Sequence, residues 1–521
     1  MNHYPYNIAL AWNQLIKREG AIALHYPGAD TSFVTLDEWS GQLASLLFSK
    51  GCRRGDVIAI GHEKHPLSYA LMLAALRLGL PYVVIDVESP LERNLRILRR
   101  AAPKLLFYDD SANAGYIMAL ATEADCDAVY LDKNDLSPIC EIESERQERE
   151  MREIDGSTIA YIMFTSGSTG EPKGVAVTHQ NVLHFIEWGR ERFSISSSDV
   201  FANLSPMYFD NSVFDFYISL FSGAALAPVP RRLLAAPYEL VDYVESMGCT
   251  LWFSVPSLLI YLTAMKAMTQ LKLPSLRTIS FGGEGYPKSE LKKLYDSFKG
   301  RAKLVNVYGP TECTCICSAH DISDADFADA DGLPSLGRLN QNFDYLIYDK
   351  DGKEGTKGEL CLIGPNVAAG YFNDSERTAD SFITITTSAR FMKRMYRTGD
   401  LVEERDDKLY FVGRKDNQIK HMGYRIELEE IEHALTGLPQ VTQAAVLYRK
   451  KNESYGKLLA FVSCVEASMS SEEDLLASLA EVLPRYMIPS EIYVLQELPK
   501  NANGKVDRRF LAEHHEASRS L

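Results

Sequence analysis

Short apolar runs alternate along the first part of the chain with stretches whose apolar residues return every three or four positions. Thr35-Leu-Asp-Glu38 reads as a capping box, followed at helical spacing by Leu36, Trp39, Leu43, Leu46 and Leu47. Val57 to Ile60 predicts a buried strand, Pro66 to Leu78 a helix, and Tyr82 to Ile85 a strand. Leu91 to Arg100 predicts a helix, and Leu105 to Tyr108 a third strand. Apolar strands separated by helices imply a mostly parallel, doubly wound sheet. Glu141 to Glu153 is densely charged without apolar periodicity and predicts a solvated helix or a linker. Ile159 to Phe164 predicts a strand, and the same grammar continues to about Val307. From Leu346 the texture changes to short strands with Gly turns at Asp351-Gly352, Gly355, Lys357-Gly358 and Gly364-Pro365. The expected fold class is α/β: a large N-terminal domain of doubly wound sheets (1–415) with a small β-barrel-like subdomain at about 330–415. A small, mobile α+β C-terminal domain (416–521) follows.

With 521 residues, 46% of them hydrophobic and 24% charged, the chain has the composition of an ordinary multidomain globular protein. A net charge of −15 argues against a nucleic-acid partner and against an anionic membrane surface. No stretch resembles a signal peptide, and the apolar region from Tyr69 to Ile85 is broken by Arg77, Gly79 and Pro81. The nine cysteines include no Cys-x-x-Cys pair, which points to a reducing cytoplasm. Cys313, Cys315 and Cys317 share one face if extended, but with no accompanying ligand pair they read as small buried residues rather than a metal site.

The predicted strand at Ile159 runs straight into Thr165-Ser-Gly-Ser-Thr-Gly170-Glu-Pro-Lys173-Gly174. Gly167 and Gly170 let backbone N–H groups turn toward an anion. Thr165, Ser166, Ser168 and Thr169 add hydroxyl donors, and Lys173 a mobile positive charge. The common nucleotide P-loop pattern fails here, because Gly170 is followed by Glu-Pro and Lys173 by Gly. Tyr308-Gly-Pro-Thr-Glu312 offers an aromatic face, a hydroxyl and a carboxylate of the kind Mg²⁺ prefers, or else a plain turn. Asp400 is an acceptor suited to paired ribose hydroxyls, or a helix cap. On physical grounds alone Lys505, in Asn503-Gly-Lys505, is an exposed lysine in a turn.

Together these segments resemble, in order and over nearly the whole chain, the superfamily of acyl-CoA synthetases, peptide-synthetase adenylation domains and luciferases. The further motifs are Tyr208-Phe-Asp210-Asn-Ser-Val-Phe214, Gly282-Gly-Glu284, Asn306-Val-Tyr-Gly-Pro-Thr-Glu312, Gly358-Glu-Leu360, Tyr396-Arg-Thr-Gly-Asp400, Gly413-Arg-Lys-Asp416, Gly423-Tyr-Arg425 and Asn503-Gly-Lys505. The resemblance implies an ATP site built from Thr165 to Gly170, Gly283, Glu284, Asn306, Val307, Tyr308, Gly309, Pro310, Thr311, Asp400, Phe411, Arg414 and Lys505. In it Tyr308 stacks on adenine, Asp400 holds the ribose, Arg414 lies near ribose and phosphate, and Glu312 carries Mg²⁺. Lys505, Thr311, Glu312 and Lys173 are implied as catalytic, Lys505 bridging the substrate carboxylate and the phosphate. Such a cation lowers the repulsion of two anions brought together. Asp416 resembles the hinge about which the C-terminal domain swings, and Gly423 the entry of a phosphopantetheine arm.

Members that activate α-amino acids carry an Asp where Asp210 stands, and a pocket carboxylate calls for a cationic partner such as an ammonium. By positional resemblance the side-chain pocket is lined by Asn211, Phe214, Phe253, Ile279, Phe281, Val307, Cys315 and Ile316, which suits a small or medium uncharged guest. The general resemblance extends to free-standing amino-acid adenylation enzymes, including D-alanine–carrier-protein ligases. Those ligases carry a Cys where Gly282 stands, and many relatives carry a His shortly before the Asp, which is missing here. No carrier-protein motif follows Lys505, so a separate phosphopantetheinylated carrier protein is expected. The alternatives are a D-alanine–carrier-protein ligase, an acyl- or aryl-CoA synthetase, and a nucleotide-binding pseudoenzyme.

Overall fold

A computed structural model describes residues 5–16, 20–61, 64–269, 271–329, 331–341, 343–388, 391–450, 456–464, 471–501 and 506–514. Contacts divide the chain into two compact units. One comprises Met1–Val87, Leu98–Phe164 and Gly174–Lys415; the other comprises Glu88–Ile97, Thr165–Lys173 and Asp416–Leu521.

The architecture of the first unit is α/β, as the alternation predicted. A nine-stranded sheet runs in the order Arg338–Leu339, Ser318–Asp321, Lys303–Tyr308, Thr278–Gly282, Leu251–Ser254, Val200–Asn203, Ala225–Pro228, Ile22–Leu24 and Thr31–Ser32. From Lys303–Tyr308 through Ile22–Leu24 its neighbours are parallel. A seven-stranded sheet centres on Ile159–Thr165, Tyr82–Val84, Ile58–Gly61 and Leu105–Tyr108. Helices bury apolar faces between and around these sheets. The helix Pro66–Leu78 is buried along nearly its whole length, starting with Pro in its first turn and stopped by Gly79 at φ 64°. A five-stranded antiparallel sheet from Asp344–Tyr348 to Lys408–Arg414 accounts for the Gly-rich texture after Leu346.

Two local readings are corrected. The first long helix starts at Phe33, capped by Ser32, whose Oγ accepts from Thr35 N at 3.0 Å, so Thr35 lies inside the first turn rather than at the cap. Glu141–Glu153 is a helix and not wholly solvated: Gln147 and Met151 are buried, and Gln147 Nε2 donates to Gly41 O.

In the second unit, the hairpin Gln418–His421/Tyr424–Glu427 leads into the helix Leu428–Thr436. A three-stranded sheet in the order Val441–Lys450, Gly456–Cys464, Glu491–Leu495 completes its core, around Ile426, Ile431, Leu435, Val446 and Leu475. No helix among the described residues is long and apolar enough to cross a membrane.

Candidate active site

Ligand sites of open parallel sheets form beyond the carboxyl ends of the strands. Three of the motifs sit there. Asp210 follows the strand Val200–Asn203, Gly283 follows Thr278–Gly282, and Gly309 follows Lys303–Tyr308. A Cβ on Gly309 would lie 2.3 Å from Cys315 O, so only glycine lets the chain fold back at this point.

Around this turn the acidic and hydroxyl groups converge. Thr311 Oγ1 donates to Asp210 Oδ2 at 2.6 Å. Asp210 makes no side-chain cap to the helical turn Asn211–Val213, so the capping role is not the one it plays. Glu312 is fully buried, and Tyr371 Oη donates to its Oε1 at 2.8 Å. Tyr308 Oη donates to Asp400 Oδ2 at 2.6 Å, and Arg414 Nη1 donates to Asp400 Oδ1 at 2.6 Å. Asp400 and Arg414 are cross-strand partners, which fixes that ion pair by register. Each Asp400 oxygen offers two lone pairs, so capacity for further donors remains beyond these bonds. Burial, and after it the nearby Asp400 charge, pushes the Tyr308 phenol well up and keeps it a donor.

Other predicted nucleotide contacts have structural partners. Asn306 Nδ2 donates to Ser335 O at 2.8 Å, Glu284 Oε2 accepts from Ser257 N at 3.2 Å, and Phe411 packs against the main core. Gly283 has φ 86°, a conformation that favours glycine. The loop after Glu312 is strained: Thr314 and Cys315 stand consecutively at φ 58° and 72°. Left-handed backbone costs a non-glycine residue about 1–2 kcal/mol. Thr314 is held there by donation from its Oγ1 to Asn366 O.

The pocket wall is brought together only in part. Phe214, Phe253, Val307, Cys315 and Ile316 belong to one buried cluster, with Phe214 and Phe253 edge to face at 5.1 Å. Ile279 and Phe281 belong to a different cluster, on the other face of the sheet. The parallel register pairs Phe253 with Ser280 and Gly282 with Val307. Ser280 and Gly282 therefore face the Phe253 side, and the sequence reading slipped by one residue. Ser280 Oγ is buried with no hydrogen-bond partner among the described residues. Asn211 is half-buried. The three clustered cysteines are buried, and Cys317 Sγ lies 3.7 Å from Cys313 O. Burial first, and Asp210 and Asp215 after it, push the Cys315 thiol well up.

In the second unit the hydroxyl-rich loop closes on itself with Gly170 N donating to Gly167 O at 3.0 Å and Gly170 at φ 80°. Thr165 Oγ1 is buried with no hydrogen-bond partner among the described residues, whereas Ser168 and Thr169 are exposed. Ser166 Oγ donates to Arg425 O at 2.8 Å, and Lys173 Nζ lies 3.8 Å from Glu427 Oε1. Glu427 carried no role in the sequence reading. Asp416 Oδ1 accepts from Gln418 N at 3.3 Å, and Gly423 turns the hairpin at φ 86°. Asn503 and Lys505 lie outside the described residues.

The parallel sheets and the motifs at their carboxyl ends define an α/β enzyme of the nucleotide-binding kind. A family model described as AMP-binding enzyme matches residues 12–372, and one described as AMP-binding enzyme C-terminal domain matches residues 430–505. The chain belongs to the AMP-binding enzyme family. It is similar to the D-alanine–D-alanyl carrier protein ligase of Bacillus anthracis, 32% identical over 491 residues, covering 93% of this chain and 94% of the relative. The ligase of the same name from Bacillus cytotoxicus is 33% identical over 490 residues with the same coverage. Its fold is similar to that of the Vibrio cholerae adenylation domain AlmE in complex with glycyl-adenosine-5'-phosphate, with TM-score 0.81, 22% identity and 99% of each chain covered. The amide bond synthetase McbA from Marinactinospora thermotolerans matches with TM-score 0.83, 22% identity, and 96% and 98% covered.

Proposed function

We propose that the protein is a ligase that activates an amino acid with ATP, forming aminoacyl-AMP and pyrophosphate, and then passes the aminoacyl group to the phosphopantetheine thiol of a carrier protein. The observation that carries this reading is Asp210, an acid at the carboxyl end of a parallel strand, oriented by Thr311 and suited to a substrate ammonium. The names of the Bacillus relatives support both the amino-acid substrate and the carrier.

Each unit carries groups suited to ATP. In the loop Thr165 Oγ1 is buried with no hydrogen-bond partner among the described residues; in the first unit Asp400 is an acceptor locked in place by Tyr308 and Arg414. Glu312 supplies the hard carboxylate oxygen that Mg²⁺ favours, held by Tyr371. The ion would neutralise phosphate charge. No covalent enzyme nucleophile is required; holding the carboxylate and α-phosphate together, with Lys505 between them, supplies the rate. Asp416 is proposed as the hinge of a C-terminal domain beginning there, and Gly423 as the pantetheine entry. The pocket guest is a small or medium uncharged side chain meeting Phe214, Phe253, Val307, Cys315 and Ile316, with Ser280 and Gly282 in place of Ile279 and Phe281. All nine thiols are free, which supports a cytoplasmic setting.

D-Alanine is the second reading, favoured by the relatives' names and opposed by Gly282. Exchange of labelled pyrophosphate into ATP over a panel of L- and D-amino acids and plain carboxylic acids decides. Amino-acid-dependent exchange supports the proposal. Exchange with a plain acid only, or with none, overturns it.

A further inference from the structure

Within the first unit, residues 365–371 tie the Glu312 turn to the strand Lys173–Thr178 and to the helix His179–Arg192 that follows it. At one end Ala368 N donates to Glu312 O at 2.9 Å, and Thr314 Oγ1 donates to Asn366 O at 2.7 Å. Asn181 Nδ2 donates to Pro365 O and Val367 O, and Asn366 Nδ2 donates back to Asn181 O. Asn181 is itself held by the capping box of its helix, where its Oδ1 accepts from Thr178 N at 2.9 Å. At the other end Gly370 and Tyr371 pair with Ala176 and Val175. Residues 365–371 therefore form a brace between the turn and a strand and helix distant from it in sequence.

Tyr371 carries the brace to the Glu312 carboxylate itself, through the bond from its Oη to Oε1. The tyrosine has little freedom of its own. Its N–H donates to Thr378 Oγ1 at 2.9 Å, its ring meets Phe382 edge to face at 5.3 Å, and the residue is buried. A side chain locked by packing in this way can hold a neighbouring group in a fixed geometry. The last torsion of a glutamate is broad, so a carboxylate without such a partner turns readily about it. Magnesium demands near-ideal octahedral geometry, so the plane in which a carboxylate is offered matters as well as its charge.

We propose that Tyr371 is a positioning residue for the metal carboxylate: its O–H, fixed by the 365–371 brace, sets the plane in which Glu312 offers oxygen to Mg²⁺. The inference rests on the proposed role of Glu312 as the magnesium ligand. It adds that this role depends on a hydroxyl that itself touches neither nucleotide nor amino acid.

The test is equilibrium binding of a non-hydrolysable ATP analogue to the full chain, measured by calorimetry with Mg²⁺ and again with excess EDTA. The quantity read is the gain in affinity that magnesium brings, and no turnover is needed. Tyr371→Phe removes only the O–H and keeps the ring against Phe382. It is expected to cut the gain about tenfold, the scale of losing a hydrogen-bonding partner of a metal ligand, with metal-free affinity within about twofold. An unchanged gain, or a metal-free affinity that falls equally, would overturn the proposal. Glu312→Gln is expected to abolish the gain, and Tyr371→Phe added to it should cost nothing more, because the tyrosine acts through the carboxylate. A further loss of affinity in the double variant would show Tyr371 acting independently of Glu312 and would also overturn the proposal. If Glu312→Gln keeps the full gain, the magnesium reading of Glu312 fails and the proposal with it. If Glu312→Gln loses the gain while Tyr371→Phe keeps it, the proposal alone fails.

Discussion

Replacing Asp210 by Asn tests the substrate assignment with little change of shape. The amide oxygen can still accept from Thr311 Oγ1, so the local geometry and the neighbouring Thr311-Glu312 turn are retained. What is lost is the charge. Two unit charges about 4 Å apart interact by about 1 kcal/mol in water and about 4 kcal/mol at a protein-like dielectric. Asp210 is half-buried, which places the loss near about 2 kcal/mol, or about 30-fold in an equilibrium constant. The assay is pyrophosphate exchange with the amino acid and ATP varied separately. The expected result is an amino-acid KM raised about 30-fold with the ATP KM within about twofold. Equal rises in both constants would show that Asp210 supports the fold of the site and not the substrate ammonium. An unchanged amino-acid KM would refute the electrostatic reasoning outright.

Gly282→Ala puts a methyl 2.4 Å from Val307 O, on the strand hydrogen-bonded beside it. Denaturant unfolding should show a loss of about 1–3 kcal/mol, and a loss below about 0.5 kcal/mol would contradict the contact. His179 is fully buried, accepts from Ile8 N at Nδ1, and has its pKa pushed down to about 3 by burial. The unfolded chain therefore binds the extra proton first. Stability is complete above pH 6.5 and falls as the pH drops from there toward 3, at up to about 1.4 kcal/mol per unit. Between pH 7.5 and 5.0, His179→Gln should lose about 2 kcal/mol less than the unmodified protein in urea unfolding, and parallel losses would refute it.

Periodicity located the elements well where one face is uniformly apolar. Pro66–Leu78 and Leu105–Tyr108 fall where the pattern put them, because full burial and bounding Pro or Gly leave little freedom. The cap of the first helix was misplaced because Ser32 and Thr35 both present a hydroxyl three residues before a candidate partner. In the site, the motif order led to Asp210, Thr311, Glu312, Tyr308 and Asp400, although the side-chain bonds Thr311–Asp210 and Tyr308–Asp400 join positions 101 and 92 residues apart and only Asp400–Arg414 is set by strand register. The pocket wall was harder. On a strand one residue of slip exchanges the two faces, and Ile279 and Phe281 look more like a pocket than Ser280 and Gly282 do. Tyr371 and Glu427 were missed since each acts on a group distant in sequence: Tyr371 on Glu312, and Glu427 on Lys173.

The left-handed backbone at Cys315 bears on how the specificity of this pocket could drift. Cys315, proposed as a wall residue, stands at a φ of 72°. Single substitutions to valine, isoleucine or threonine add a branch at Cβ that this backbone resists, whereas glycine and asparagine are admitted easily. Accessible variants at this wall are therefore those that enlarge the pocket or make it polar. A tighter or more apolar guest space has to be reached through Phe214, Phe253 or Val307, on helix and strand positions whose backbone places no such restriction.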